Sequence, residues 1–138
     1  MSRPRFHLAF PVRDLDEARD FYGKLLGCPE GRSAPDWVDF DFHGHQIVAH
    51  LATAGALDET NAVDGEAVPV RHFGLILDLR TWPALAERLV AAGATFLIAP
   101  TVRFKGQPGE QATMFILDPS GNAVEFKAFA DDAMVFAK

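Results

Sequence analysis

One plan of secondary structure occurs twice in this chain, and that repetition restricts the fold more than any single motif does. The segment "RFHLAFPV" reads as a strand and "DLDEARDFYGKLLG" as an amphipathic helix. Asp14 is a natural N-cap, and Glu17, three residues on, is placed to close a capping box. Leu15, Ala18, Tyr22, Leu25 and Leu26 recur near helical spacing, and Gly27 ends the run. "DWVDFDF" alternates apolar and acidic residues as a half-buried strand does, and "HGHQ" makes a polar connection into a further strand, "IVAHLAT". The second half keeps this order. "RHFGLILDL" is a strand, "TWPALAERLVAAG" a helix with Thr81 as its expected N-cap, and "TMFILDPSGNAVEFKAF" two strands about a Pro-Gly turn. His7 precedes Gly27 by 20 residues, and His72 precedes Gly93 by 21. Laying "DFDFHGHQIVAHL" on "MFILDPSGNAVEF" without a gap pairs Phe42 with Leu117 and His50 with Glu125, both 75 apart. Two βαβββ modules in an α+β chain are the simplest account.

The expected organisation is a single domain over residues 1–138, with module 1 at about 4–53, a connector at 54–69, module 2 at about 70–129 and a tail at 130–138. A chain of 138 residues with 49% hydrophobic content and 12 phenylalanines can bury one core but hardly two. The connector carries four acids, no Lys or Arg and little periodicity; a short helix over a cavity is its alternative reading. "APTVRFKGQPGEQ" combines turn signals with Arg103 and Lys105, which makes it a candidate mobile hairpin beside a ligand. In the tail, Phe129, Met134, Val135 and Phe136 suggest docking on a partner or over the pocket.

Charge removes some partners from consideration. Lys and Arg total 13 against 19 Asp and Glu, and a net charge of −6 gives no electrostatic basis for binding nucleic acid or an anionic membrane. A small neutral or weakly charged substrate fits better. No apolar run approaches bilayer length, and none resembles a secretory leader. The single cysteine, Cys28, excludes an intrachain disulfide framework and reads as a buried, inert thiol. A soluble, cytoplasmic protein is expected.

The repeat singles out four polar residues. His7 and His72 occupy matching places in the first strand of each module, with small neighbours on the same face, Ala9 and Gly74. Glu125 lies between Val124 and Phe126 in a core-quality strand, where a carboxylate is costly unless paired or metal-bound. His50, between Ala49 and Leu51, is its counterpart in the ungapped alignment. A strand histidine is ordinarily a hydrogen-bonded core residue or a solvent-facing one, and Glu125 with Lys127 can form an outward salt-bridged face. Related by a pseudo-two-fold axis, however, the matched positions would converge, and two His with one carboxylate is the facial triad suited to non-haem Fe(II). His43, His45 and Gln46 read as residues of the polar connection.

These motifs resemble those of the vicinal oxygen chelate superfamily, which includes glyoxalase I, extradiol dioxygenases, fosfomycin-resistance enzymes and bleomycin-binding proteins. The resemblance runs from "FHLAFPVRDLDEARDFYGKLLGC" through "RHFGLILD" to "DPSGNAVEF", which is similar to the family's D-P-x-G-x-x-x-E ending. It implies a U-shaped, partly open β-barrel of two βαβββ modules, with His7, His72 and Glu125 as metal ligands. Family members commonly dimerise, so a homodimer is expected.

His50 is where the branches of that family part. Common bacterial glyoxalase I has a glutamate there as fourth ligand, whereas extradiol dioxygenases have a nearby histidine that serves as acid–base residue off the iron. The resemblance therefore implies a metal-dependent, extradiol-dioxygenase-like oxidoreductase. Its substrate would chelate through vicinal oxygens, with Fe(II) the preferred ion and His50 the proton carrier. Trp37 would wall the pocket, and Arg103 or Lys105 would meet a substrate anion. Phe115 stands where extradiol enzymes carry a tyrosine, and Lys105 and Gln107 stand where they carry a histidine. The alternatives are a glyoxalase-type lyase or isomerase, or a thiol transferase, using Mn(II), Ni(II), Zn(II) or Co(II) with His50 as ligand. A metal-free binding protein of bleomycin-resistance type is the alternative from another class.

Overall fold

The computed structural model describes residues 5–52, 60–63, 65–69 and 72–136. The chain forms two compact units, Met1–Asp58 with Asp118–Asn122, and Glu59–Leu117 with Ala123–Lys138. In the first unit β1 (His7–Val12) leads into α1 (Leu15–Ala18), which continues as a π-helical segment, Arg19–Leu25. The strands β2 (Glu30–Ala34), β3 (Trp37–Phe42) and β4 (His45–Leu51) follow. The sheet order is β1-β4-β3-β2, with β1 and β4 parallel and the other pairs antiparallel. In the second unit a hairpin of β5 (Thr60–Val63) and β6 (Glu66–Pro69) precedes β7 (His72–Ile76), α2 (Thr81–Ala91), β8 (Phe96–Arg103), β9 (Gln111–Leu117) and β10 (Ala123–Phe129). Its sheet has the order β7-β10-β9-β8, again with one parallel pair, β7 and β10. The βαβββ plan is thus present twice, in two four-stranded mixed sheets.

Strand alternation gives each sheet two unlike faces. In the first unit Phe10, Val12, Val38, Phe40, Phe42, Ile47 and Ala49 are buried on one face. Register places His7, Ala9, Pro11, Trp37, Asp39, Gln46, Val48 and His50 on the other. Tyr22, fully buried from the π-helical segment, packs against Phe10 and Phe40 at ring separations of 5.1 and 5.5 Å. In the second unit Met114, Ile116, Val124, Phe126 and Ala128 are buried on one face, and Trp82 of α2 donates its indole N–H to the Phe126 carbonyl at 2.8 Å. His72, Gly74, Thr113, Phe115, Glu125 and Lys127 share the opposite face.

Several local expectations are corrected. Asp14 does cap α1, accepting from the Glu17 N–H at 2.8 Å, but the Glu17 carboxylate pairs with the Arg13 guanidinium at 2.7 Å, because that neighbour supplies two charged donors. Thr81 is the first residue of α2 and not its N-cap, a position that Arg80 holds; Asp78, just before, accepts from the N–H groups of Arg80 and Thr81 at 3.0 and 2.6 Å. The polar connection "HGHQ" shrinks to a two-residue turn, His43 and Gly44, both with positive φ (54° and 87°), the conformation that a tight hairpin demands. His45 and Gln46 therefore belong to β4. Residues 60–63 and 66–69 of the expected connector form a hairpin; its residues 54–59 lie outside the described residues. Phe129 ends β10 and is buried, whereas Phe136 is exposed. Among the described residues no helix is long and apolar enough to cross a membrane.

The "DPSGN" turn is organised by one carboxylate. Asp118 accepts from the Tyr22 hydroxyl (2.9 Å), the Asn122 amide side chain (2.7 Å) and the backbone N–H groups of Ser120 (2.9 Å) and Asn122 (2.7 Å). Asn122 also donates to the Pro11 carbonyl at 2.7 Å. Burial raises the Asp118 carboxyl above its usual range although these donors pull the other way, and burial together with the Asp118 charge pushes the Tyr22 phenol well up. A raised folded-state pKa means that the folded protein holds the proton more tightly. The Asp118 contribution is therefore complete below the unfolded carboxylate pKa of about 3.9 and is lost as pH rises through its folded value. Wild type should accordingly lose stability relative to Asp118→Asn as urea denaturation is repeated from pH 3.5 towards neutrality. A relative gain would show that the four donors outweigh burial. Tyr22→Phe, which leaves Asp118 one donor short, should cost about 1–3 kcal/mol at neutral pH.

Candidate metal centre

The centre is built from β7 and β10, the parallel pair of the second unit. His72 opens β7, and Gly74 pairs across the ladder with Glu125. A Cβ at Gly74 would fall on the Glu125 carbonyl oxygen, with the Glu125 carbonyl carbon at 2.5 Å and its nitrogen at 2.9 Å. Glycine is what lets the Glu125 backbone come this close. The His72 Nε2 and Glu125 Oε1 atoms stand 3.7 Å apart. The other carboxylate oxygen, Oε2, accepts from the Thr113 hydroxyl at 2.7 Å, and the His72 ring lies edge-on to Phe115 with centroids 5.2 Å apart. The Glu125 side chain is 14% exposed and that of His72 34%, so the pair is sheltered yet open on one side. It lines a cleft of about 210 Å³ with Gly74, Ile76 and Lys127.

This geometry suits a divalent ion. Two ligands bound about 2.1 Å from one ion stand roughly 3.0–3.4 Å apart, so the observed pair is a few tenths of an ångström from that spacing. Thr113 fixes the carboxylate by occupying one oxygen, the kind of support that coordinating carboxylates ordinarily have. Among the described residues no three His, Cys, Asp or Glu side chains stand together as a ready cluster. The second unit brings together two of the expected ligands.

His7 belongs to the first unit. Its Nδ1 lies 2.8 Å from the Gln46 side-chain oxygen, directly across the parallel β1–β4 ladder. His45 accepts the Phe6 N–H at 3.0 Å. His50 is exposed, pairs with Pro11 and Trp37, and sits four residues beyond Gln46 on the same face, about 13 Å along the strand. That spacing sets His50 apart from His7 along the sheet. It also corrects the internal alignment. Matching His7 to His72, the ladders pair Gln46 with His7 and Ala123 with His72, an offset of 123 − 46 = 77. Glu125 then corresponds to Val48, and His50 to Lys127.

The expected substrate contacts separate. Trp37 is half-buried beside His50. Arg103 ends β8, lies 5.0 Å from the Phe104 ring centroid, and lines a cleft of about 520 Å³ with Glu66, Ile98, Thr101 and Phe104. Lys105 is exposed in the turn that follows. Two participants had not been assigned from sequence. Gln46 reads from sequence as part of the polar connection, although it is the residue facing His7. Thr113 gave no signal, since threonine is common on any strand face.

A sequence model of the glyoxalase/bleomycin resistance protein/dioxygenase superfamily matches residues 6–126, and the chain belongs to that superfamily. Within it, the chain is 38% identical to the glyoxalase/bleomycin resistance protein/dioxygenase from Alicyclobacillus acidocaldarius, with a TM-score of 0.83 over 96% of each chain. The fosfomycin resistance protein FosX from Listeria monocytogenes shares the fold at 18% identity and a TM-score of 0.71, over 98% of this chain and 100% of that one. FosX from Mesorhizobium loti does so at 16% identity and 0.61, over 93% of each. Among curated proteins none matches.

Proposed function

We propose that the protein is a metal-dependent oxidoreductase of extradiol-dioxygenase type, whose divalent ion, Fe(II) by preference, is held by His72, Glu125 and His7. The His72–Glu125 pair, with its second carboxylate oxygen held by Thr113, is the observation that carries this reading. The ion would supply polarisation of two neighbouring substrate oxygens and a lowered pKa for a substrate hydroxyl. The chain's own residues do the rest. Gly74 and Thr113 set the position of the carboxylate. Trp37 presents apolar surface to an aromatic substrate, while Arg103 or Lys105 meets a substrate carboxylate. His50, four residues beyond Gln46 on β4, accepts and returns a proton, for which histidine is suited near neutral pH. A homodimer in the cytoplasm goes with this reading.

Anaerobic reconstitution tests it. Fe(II) should raise the melting temperature, and the loaded protein should consume oxygen with at least one catechol from a panel. No uptake with any catechol, together with turnover of a hemithioacetal under Ni(II), Zn(II), Mn(II) or Co(II), would replace the oxidoreductase by a glyoxalase-type activity.

A further inference from the structure

In the first unit His7 stands at the end of a directed hydrogen-bond chain. The Gln46 side-chain oxygen lies 2.8 Å from His7 Nδ1, and the Gln46 side-chain nitrogen donates to Asp39 Oδ2 at 3.1 Å. Asp39 is 8% exposed. The Cβ position of Gly31, on the neighbouring β2, is 3.3 Å from the Asp39 Cβ, so a side chain there would press on the carboxylate's stem.

The direction of this chain follows from its charged end. A carboxylate only accepts, so the amide must turn its NH₂ group to Asp39 and its oxygen to His7. An amide oxygen also only accepts, so His7 must carry a proton on Nδ1. In the neutral ring that leaves Nε2 unprotonated, with its lone pair available. Two ladder steps convert the position of one buried charge into the choice of a tautomer on an exposed imidazole.

We propose that Gln46, anchored by Asp39, is a positioning residue that holds His7 as the Nδ1–H tautomer and so presents Nε2 as the free acceptor atom. The tautomer stands on the first unit by itself. Its consequence, a His7 already set to ligate through Nε2, rests on the metal reading above and follows the rule that a ligating histidine donates its other N–H to a fixed partner.

Two-bond ¹H–¹⁵N correlation spectra of the metal-free protein, recorded above pH 8 and assigned with His7→Gln, read the tautomer directly. The expected result is Nδ1–H for His7, against the Nε2–H form that a solvated histidine prefers. Gln46→Leu should return the ring to Nε2–H, Gln46→Glu should keep Nδ1–H because it retains an acceptor, and Asp39→Asn, whose amide no longer dictates the direction, should give a mixture. Nε2–H in wild type, or an unchanged Nδ1–H in Gln46→Leu, would overturn the proposal; an unchanged pure tautomer in Asp39→Asn would remove Asp39 from it. Mn(II) titration separates the two readings. Wild type that holds Nδ1–H but binds no metal upholds the positioning and sinks the metal site. A Gln46→Leu protein that returns to Nε2–H and binds Mn(II) about 10–100-fold more weakly supports both.

Discussion

Gly74→Ala is expected to lower the melting temperature by about 10 °C or to prevent the second unit from folding. Adding methylenes to a packed interior typically costs about 1–3 kcal/mol, because side chains can turn aside. Here the added carbon would meet main-chain atoms, the carbonyl group and nitrogen of Glu125, in a strand that pairs on both sides. Relief requires β7 and β10 to separate, so the effect belongs at or above the upper end of that range. For a chain of 138 residues, about 3 kcal/mol corresponds to roughly 10 °C. The first unit supplies its own control. Ala9, two residues after His7, occupies the place that Gly74 holds after His72, and it already accommodates a Cβ opposite Val48. Ala9→Gly should therefore cost only about 1 kcal/mol. Thermal and urea denaturation of the two variants decide the matter; a Gly74→Ala protein within about 2 °C of the parent would show that the strands have room to spare.

Glu125→Gln should abolish metal binding while leaving the fold intact. The substituted amide keeps an oxygen for the Thr113 hydroxyl and occupies the same volume, but it lacks the charge that a hard divalent ion requires. Saturating metal at about 100 times its dissociation constant should stabilise wild type by roughly 2.7 kcal/mol, or about 10 °C, and the variant hardly at all. Without metal the variant should equal or slightly exceed wild type, since a carboxylate only 14% exposed has been replaced by a neutral group. Thr113→Val isolates the supporting hydrogen bond. It should weaken binding about 10–100-fold, the loss seen when an outer partner of a ligand is removed, and less than Glu125→Gln does. Differential scanning fluorimetry with and without Mn(II) or Fe(II) measures all three; a full metal-induced rise in Glu125→Gln would remove the carboxylate from the ligand set.

Much of this arrangement was legible in the residues, and the exceptions have definite causes. The βαβββ order shows in the alternation of apolar residues, because a sheet covered on one face imposes a period of two. The same period hid the error at His50. The first module turns between β3 and β4 over two residues, His43 and Gly44, whereas the second turns between β9 and β10 over five, Asp118–Asn122. An ungapped alignment therefore cannot hold through these turns, and matching His7 to His72 across the ladders sets the offset along β4 and β10 at 77 rather than 75. A slip of two residues keeps every side chain on its own face, so no pattern of hydrophobicity registers it. It moved His50 onto Glu125 and pushed Gln46 into the turn. The cap of α2 differs for a related reason: Thr81 is an acceptable N-cap residue by type, but the helix begins on it and the N-cap position falls to Arg80, which only the backbone conformation decides. The hairpin of β5 and β6 lacks the alternation that announces a strand.

The Asp118 turn bears on how the chain can be divided. Residues 118–122 group with the first unit, although the strands on either side of them group with the second. A fragment ending at residue 58 would contain β1 to β4 and the helix, yet its Tyr22 hydroxyl would lack the carboxylate it donates to, and the Pro11 carbonyl the amide that reaches it. The complementary fragment would carry that turn with nothing to receive it. The two copies of one plan are thus not interchangeable halves. A split at residue 58 parts the first unit from the five residues that complete it, so separately expressed fragments should regain the fold by complementation.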